Sequence, residues 1–299
     1  MATLRELKTR IGSVSSSEKI TGAMKMISSA KVHKNEQALK RLVPYRNQIT
    51  RIMGHILQAD VNFSSPLTAA REMNNIGLVV FGSDDGLCGA YNINIYKRLL
   101  EILNKMRENH PGIRFTIFPV GSKILRIVKK IEGGDITVRV LPGVDSKMEG
   151  ERVNEFTRML EKEFLNGDVD AVHVVYMNFL SMSRQVLKDS LLFPVEADAI
   201  MGDAEKAASK GSEEDKLYIF EPDPNRIFNV VLPMFVLSTM QQVTIENRAS
   251  EQAARVMAMQ SANDNAKKLL ETLQLEYNKL RQQSITTELL DIVGGQMGR

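Results

Sequence analysis

Hydrophobic positions recur with coiled-coil spacing along the last quarter of the chain. Two rows begin near Ala262 and contain Ala266, Leu273 and Leu280, and Leu270, Tyr277 and Ser284. Polar residues lie between the rows, a spacing typical of a seam between helices. Residues 226–299 are therefore predicted as a C-terminal coiled-coil helix, with one proline, Pro233, near its start. At about 1.5 Å per residue it would be on the order of 100 Å long and would need a partner helix.

A second helical pattern occupies residues 1–60. Its apolar positions, spaced mostly by three and four, are Leu4, Leu7, Ile11 and Val14, then Thr21, Met24 and Ile27, and finally Ile49, Ile52, Met53 and Ile56. Pro44 lies inside this pattern and predicts a kink or break there. Residues 1–60 and 226–299 are predicted to pair as a long antiparallel two-helix coiled coil.

The residues between the two helices, 61–225, read as an inserted Rossmann-like α/β domain. Apolar runs alternate with helical patterns, which favours a mostly parallel sheet covered by helices. The predicted strands are Ile76–Phe81, Ile113–Val120, Asp170–Phe179 and an edge strand within Val186–Glu196, and the predicted helices are Tyr96–Arg107, Ser122–Ile131 and Glu151–Leu165. An acidic loop is expected over Ala197–Lys216, followed by a short strand at Tyr218–Phe220.

Composition narrows the class of protein. The 299 residues are 43% hydrophobic but contain no run near twenty apolar residues, so no membrane span is expected. Charged residues interrupt the only candidate for a secretory signal. The single cysteine, Cys88, excludes an internal disulfide and fits a reducing compartment. The net charge of +3 is uneven: residues 1–60 hold eleven Lys or Arg against four Asp or Glu. This basic helix suits an acidic partner, protein or nucleic acid, or else is a solvated face.

The chain offers no persuasive catalytic constellation. Residues 82–89, after the first predicted strand, are rich in glycine and invite a phosphate-binding reading. Their spacing matches neither common phosphate motif, and Asp84 and Asp85 would repel a phosphate, so a structural turn is favoured. Cys88 has no evident base beside it, and the four histidines lack metal-ligand spacing. A nucleotide-binding enzyme and a basic RNA-gripping arm remain open alternatives, although the helices lack the aromatic residues that RNA binding favours.

The C-terminal end of the predicted coiled coil has an apolar tip. If the helices pair outward from the inserted domain, the C-terminal helix outlasts its partner and leaves apolar residues uncovered, namely Leu289, Leu290, Ile292 and Val293. Exposed apolar surface indicates a socket in another protein, unless the helix end is simply frayed. Arg281, Gln282 and Thr286 fall close together just below the tip and could hydrogen-bond to its rim.

Five motifs spread over the whole chain carry a resemblance to a known family. They are KITGAMKMISSAK from Lys19, GSDDGLCGAYN from Gly82, EPDP from Glu221, ASEQAARVMAMQSANDNA from Ala249 and YNKLRQQSITTELLDIVGG from Tyr277. Together, in this order, they resemble the γ subunit of the F-type ATP synthase, in its bacterial form. The resemblance implies a central rotor shaft with no active site, no cofactor and no metal of its own.

The resemblance also implies partners and contact residues. The coiled coil would turn inside a hexamer of three α and three β subunits, with the residues of the apolar tip in its bearing. Contacts with the β subunit are implied for Met24, Lys25, Arg281, Gln282, Thr286 and Glu288. The foot of the shaft, including Tyr218 and Glu221, would rest on the ε subunit and the membrane c-ring. Proton flow through the ring would turn the shaft, and no nucleic acid would be bound.

The same resemblance predicts where the protein works. The helical pattern begins directly after Met1, without a transit peptide, and so favours a bacterium. The chain would then lie at the cytoplasmic face of the inner membrane, held there peripherally through the c-ring.

Overall fold

The structure is a computed structural model that describes residues 3–58, 63–197, 200–201 and 220–297. The chain divides into two compact units. The first contains residues 1–30 and 255–299, and the second contains residues 31–254.

Two long helices dominate the secondary structure. Helix α1 runs over Leu4–Gln58 and helix α5 over Pro224–Met297, 55 and 74 residues respectively. Pro44 lies inside α1, which continues through it, so of the predicted kink or break at this proline the break is wrong and the kink stays a prediction. Pro233 lies ten residues into α5, which likewise continues.

The first unit is an antiparallel pair of helices. The side-chain amide of Asn263 on α5 donates to the carbonyl oxygen of Glu18 on α1 at 2.7 Å. Farther along α5, Leu273 shares a shallow groove with Thr9 and Ser13 of α1. Because contacts move toward the start of α1 as they move toward the end of α5, the two helices run in opposite directions. The predicted antiparallel coiled coil is confirmed.

Burial along α5 follows the predicted seam. Between residues 264 and 284, side chains off the seam are exposed, whereas seam positions are buried or half-buried, namely Ala266, Leu270, Leu273, Tyr277, Leu280 and Ser284. On α1 the pattern holds for Leu7, which is buried, but it is wrong for Ile27, which is 57% exposed. Ser28 is the buried residue there. Ser28 lies 21 residues after Leu7, three heptads along the same side of the helix, so the buried side of α1 follows helical spacing even where the residue is polar.

The second unit is built on a five-stranded sheet with the order β3-β2-β1-β4-β5. Its strands are β1 Asn75–Phe81, β2 Arg114–Val120, β3 Ile136–Val138, β4 Ala171–Ser181 and β5 Arg184–Phe193. The first four strands are parallel and β5 pairs antiparallel with β4 at the edge of the sheet. The predicted Rossmann-like α/β domain is confirmed, and among the described residues the short strand β3 was missed.

Helices cover both faces of the sheet, as continuous apolar strands require. They are α2 Tyr91–Asn109, α3 Ser122–Val128 and α4 Glu151–Asn166, together with the parts of α1 and α5 in this unit. Leu78 and Val80 of β1 pack in a core with α2 and α3. Val79 and Phe81 point to the opposite face and pack with α1, α4 and α5. The sheet therefore fixes the C-terminal end of β1 between two sets of helices.

By length and composition alone, helix α5 is long and apolar enough to cross a membrane: its most apolar 18-residue segment has a mean hydropathy of 1.3. A core helix of a soluble protein passes the same test. Near the start of α5, Phe228, Leu232 and Val236 are fully or almost fully buried in the core of the second unit. The apolar composition there is accounted for by packing within the chain.

Candidate functional site

The end of helix α5 presents its side chains to solvent. Residues 281–290 are exposed with the exception of Ser284. Extended to the first described residue, Thr3, the antiparallel register of the first unit ends near Arg281. Beyond that level no described residue of α1 is available to cover α5, which explains the exposure.

The predicted apolar tip is exposed where its side chains are described. Leu289 is 58% exposed, Leu290 65% and Ile292 61%. The backbone of Val293 is helical, but its side chain lies outside the described residues. An uncovered cluster of large apolar side chains at a helix end is a typical surface for docking another protein.

The polar residues below the tip are also exposed. Arg281, Gln282, Thr286 and Glu288 all face solvent. The Thr286 hydroxyl donates to the Gln282 carbonyl within the helix at 2.9 Å, which leaves its oxygen able to accept a further hydrogen bond. Residues 281 and 288, seven apart, lie on one face of the helix, and 282 and 286, four apart, on another. The predicted contact residues therefore form a polar collar on more than one side of α5.

The predicted contact band on α1 is only partly exposed. Met24 and Lys25 are half-buried, whereas their neighbour Met26 is 68% exposed. Ile20 and Ile27, seven residues apart on one helix face, are 59% and 57% exposed. Sequence reasoning assigned Ile27 to the seam and left Met26 and Ile20 out of the contact set. Leu7 and Val14 are seven residues apart on the side of α1 that faces α5. Ile20, Met26 and Ile27 do not continue that seven-residue spacing, which would have placed them outside the seam.

The predicted foot residues are less well described. Tyr218 lies outside the described residues. Glu221 is exposed, just before α5. Asp223 caps that helix, because its carboxylate accepts from the backbone N–H of Arg226 at 3.0 Å.

The glycine-rich turn after β1 is closed by its own side chains. The Asp84 carboxylate accepts the backbone N–H of Ser122 at 2.8 Å, and the N–H and hydroxyl of Ser146 at 2.9 and 2.8 Å. Ser122 is the first residue of α3, so Asp84 occupies the helix start where a phosphate would bind. The aspartate that argued against phosphate binding from charge also blocks the site by position.

The remainder of the turn is held by a second set of contacts. The Ser83 N–H donates to the side-chain oxygen of Asn92 at 3.0 Å, and the Asn92 amide donates to the Ser83 hydroxyl at 2.8 Å. Cys88 is 4% exposed beside them. The Lys147 ammonium lies 3.1 Å from Asp85, and this pairing raises the pKa of Lys147. These groups make a structural turn.

Helix α5 reaches the same turn through Asn247, which is fully buried. Its amide donates to the Gly82 carbonyl at 3.2 Å, and its side-chain oxygen accepts the Tyr91 hydroxyl at 2.6 Å. The same oxygen accepts the Met177 N–H of β4 at 3.4 Å. One side chain thus joins α5, β4, the turn and α2. No motif rule singles it out, since its partners are 70 to 165 residues away.

Two ion pairs of the second unit involve partly exposed side chains. Arg107 holds Asp135 through two hydrogen bonds of 2.7 and 2.9 Å, which lower the pKa of Asp135. Glu149 pairs with Arg248, and that contact lowers the pKa of Glu149. Among the described residues, no group of three metal-ligating side chains comes together.

Comparison with known proteins gives a consistent result. The family model described as "ATP synthase" matches residues 3–297. The chain is 37% identical to the "ATP synthase gamma chain" of Bacteroides thetaiotaomicron, over 99% of this chain and 100% of that protein. It is 38% identical to the protein of the same name from Phocaeicola vulgatus, with the same coverage.

Solved structures agree on the fold. The rotor of Euglena gracilis mitochondrial ATP synthase contains a chain that matches with a TM-score of 0.61 and 19% identity, covering 94% of this chain and 98% of that one. A chain from the OSCP/F1/c-ring part of the same enzyme matches with a TM-score of 0.62 and 21% identity, covering 99% of this chain and 94% of that one. At these identities the likeness concerns the fold alone.

Proposed function

This chain belongs to the ATP synthase gamma-chain family, and from that membership we propose that it works as the central rotor shaft of an F-type ATP synthase. The shaft couples rotation of a c-ring to the conformational cycling of catalytic β subunits. The observation that carries the proposal is the antiparallel helix pair whose longer member, α5, ends in exposed apolar residues.

The shaft has no active site of its own. The glycine-rich turn, the best candidate for a nucleotide site in the sequence, is filled by the Asp84 carboxylate. A rotor needs none, because it acts by binding the conformations of its partners unequally as it turns. In thermodynamic terms it supplies coupling free energy between the ring and sites that it does not enter.

The proposed partners follow from the relatives. Related chains belong to assemblies described as a rotor and as OSCP/F1/c-ring. For this chain we infer a hexamer of α and β subunits around residues 3–30 and 255–297, and an ε subunit and c-ring at the foot, with Tyr218 and Glu221. The chain would lie peripherally at the cytoplasmic face of a bacterial inner membrane. The division into helix 1–60, inserted domain 61–225 and helix 226–299 stays a prediction.

The exposed polar collar and the exposed apolar tip support two different roles in binding the hexamer. Polar side chains below the tip hydrogen-bond to a β loop, and apolar side chains above them turn in a water-excluding bearing with little directional preference. The collar contains Arg281, Gln282, Thr286 and Glu288, and the tip contains Leu289, Leu290, Ile292 and Val293. On α1, Met24 and Lys25 would face an acidic lever of the β subunit, with Met26 exposed beside them.

Reconstitution tests the function. The purified chain should show no ATP hydrolysis, and when co-expressed with α and β subunits it should co-purify with them as an ATP-hydrolysing complex. Full hydrolysis by the single chain, or failure to co-purify, would contradict the proposal.

Photo-cross-linking tests the contact residues. A photoreactive amino acid at Thr286 or Leu290 should form adducts with α or β, and one at Lys25 should form adducts with β. The matched control is Leu180, an exposed apolar residue of the second unit (53% exposed), which should not label the hexamer. Labelling from Leu180 but not from Thr286 or Leu290 would refute the assignment.

A further inference from the structure

Helix α5 meets the sheet of the second unit through a buried polar face. This face begins at Gln242. Glu246, Asn247 and Ser250 follow four, five and eight residues after it, a spacing that places all four on one side of the helix. Glu246 is 7% exposed, and Asn247 and Ser250 are fully buried. The preceding turns of α5 pack through apolar side chains such as Val236 and Met240. Where α5 meets the sheet, its buried side chains are therefore polar, whereas its earlier turns bury apolar side chains.

This polar face binds the backbone of the sheet at defined points. Asn247 contacts the Gly82 carbonyl at the end of β1 and the Met177 N–H of β4. One turn later, the Ser250 hydroxyl donates to the Met177 carbonyl at 2.9 Å. Both backbone groups of Met177 are therefore held by α5. Backbone groups cannot change rotamer, so these contacts fix the position of the helix against the strands.

Side chains add a third attachment. The Asn178 amide donates to the Glu246 carboxylate, and the Gln242 amide donates to the same carboxylate at 2.7 Å. Each amide turns its N–H toward Glu246 although its own oxygen is left without a partner among the described residues. The arrangement holds a buried acceptor from two directions, which is a directional contact.

Apolar packing and polar contacts resist rotation of a helix differently. Burial of apolar surface is non-directional, so a helix can turn in an apolar seat with a modest change in area. Turning α5 about its axis would strip Asn247 and Glu246 of their partners while they remain buried, and buried polar groups without partners are strongly unfavourable. Single buried asparagines fix helix register in coiled coils for this reason.

We propose that Asn247, Ser250 and Glu246 are a rotational key that locks α5 to the sheet, so that twist applied to the second unit passes into α5. The inference rests on the proposed function as a rotor shaft. In this role the three residues are positioning residues, which touch neither nucleotide nor the moving ions. The key would matter under load, when an opposing proton gradient resists rotation.

The test uses the complete ATP synthase in membrane vesicles, with the double variant Asn247→Leu, Ser250→Ala. The control is Val243→Ala, a core truncation in the same helix at a residue that is 4% exposed. ATP hydrolysis and ATP-driven proton pumping are measured together while the opposing gradient rises. The double variant should keep its hydrolysis but lose most of its pumping at a gradient that the control still sustains. Equal pumping per ATP in the two variants would overturn the key.

Three further outcomes separate the key from the proposed function. If the double variant does not assemble, Ser250→Ala alone, which keeps Asn247, should show partial loss of pumping under load, and unchanged pumping would overturn the key. If the unmodified chain itself supports no coupled pumping, the proposed function fails and the key fails with it. Normal coupling in every variant rejects the key and leaves the proposed function standing.

Discussion

Gly82→Ala is a severe perturbation of the turn that closes the end of β1. A Cβ at this position would lie 2.4 Å from Cβ and 2.6 Å from Cγ2 of Ile124, and 2.9 Å from the side-chain oxygen of Asn92. Ile124 is fully buried in α3, and Asn92 is 9% exposed in α2. Both neighbours are pinned, because Asp84 caps α3 and Asn92 holds Ser83. The added methyl group cannot be accommodated by a side-chain rotation alone.

The expected cost follows from overpacking in a site that cannot relax. Inserting one carbon into a well-packed core costs about 1–3 kcal/mol, and contacts this short place Gly82→Ala at the upper end. For a domain of this size that corresponds to a fall of roughly 5–10 °C in the melting temperature of the second unit. The assay is thermal unfolding of the second unit, with hydrogen exchange of residues 75–128 as a local measure.

The neighbouring Gly86 supplies the matched control. A Cβ there would approach nothing closer than Cε of Lys123 at 3.9 Å, so Gly86→Ala should leave the melting temperature nearly unchanged. If Gly82→Ala proved as stable as Gly86→Ala, the turn would be open rather than packed. That result would revive the phosphate-binding reading of the sequence.

Three further predictions test the helices and one ion pair. Gly12→Ala in α1 should stabilise the first unit by about 0.5–1 kcal/mol in thermal unfolding, because the new methyl group meets nothing within 4 Å and alanine favours helix. Asn263→Ala should destabilise the same unit by about 1–2 kcal/mol through loss of the 2.7 Å bond to the Glu18 carbonyl, seen as faster hydrogen exchange in residues 4–30. Arg107 lowers the pKa of Asp135, so the pair stabilises the fold above the unfolded pKa near 4, and that stability is lost as pH falls through the lowered folded pKa. Asp135→Asn should therefore cost less than about 1 kcal/mol at pH 7 in urea unfolding, and nothing once Asp135 is protonated in both states; a cost independent of pH would refute this.

Periodicity made much of the fold predictable from the sequence. The rows through Leu273 and Tyr277 repeat over three heptads, and a repeat of that length has few explanations other than a helix pair. The strands were likewise found as short apolar runs, of which Ile76–Phe81 is typical. Local patterns work where one physical cause, burial of a face, acts on many residues at once.

Sequence patterns failed to predict features that depend on a few residues or on contacts between distant parts of the chain. Ile27 looked like a seam residue, but helical geometry buries Ser28 instead. The three-residue strand β3 was too short to show a period. Asn247 has no local motif at all, because its partners come from β1, α2 and β4.

The candidate surface was predictable only in part. The exposure of Leu289 and Leu290 follows from counting where the partner helix must end. The exposure of Met26 required knowing which side of α1 faces α5, and the sequence leaves that ambiguous where small residues replace apolar ones. Met24 is half-buried, as its place in the apolar pattern of α1 predicts.

The central claim is that the chain turns within a ring of catalytic subunits. Leu180→Cys offers an attachment point for a visible probe, since it is exposed in the second unit and the native Cys88 is buried. With the α and β hexamer fixed to a surface, addition of ATP should drive stepwise rotation of the probe in one direction, which stops when ATP is removed. A stationary probe on a complex that hydrolyses ATP at its full rate would contradict the account.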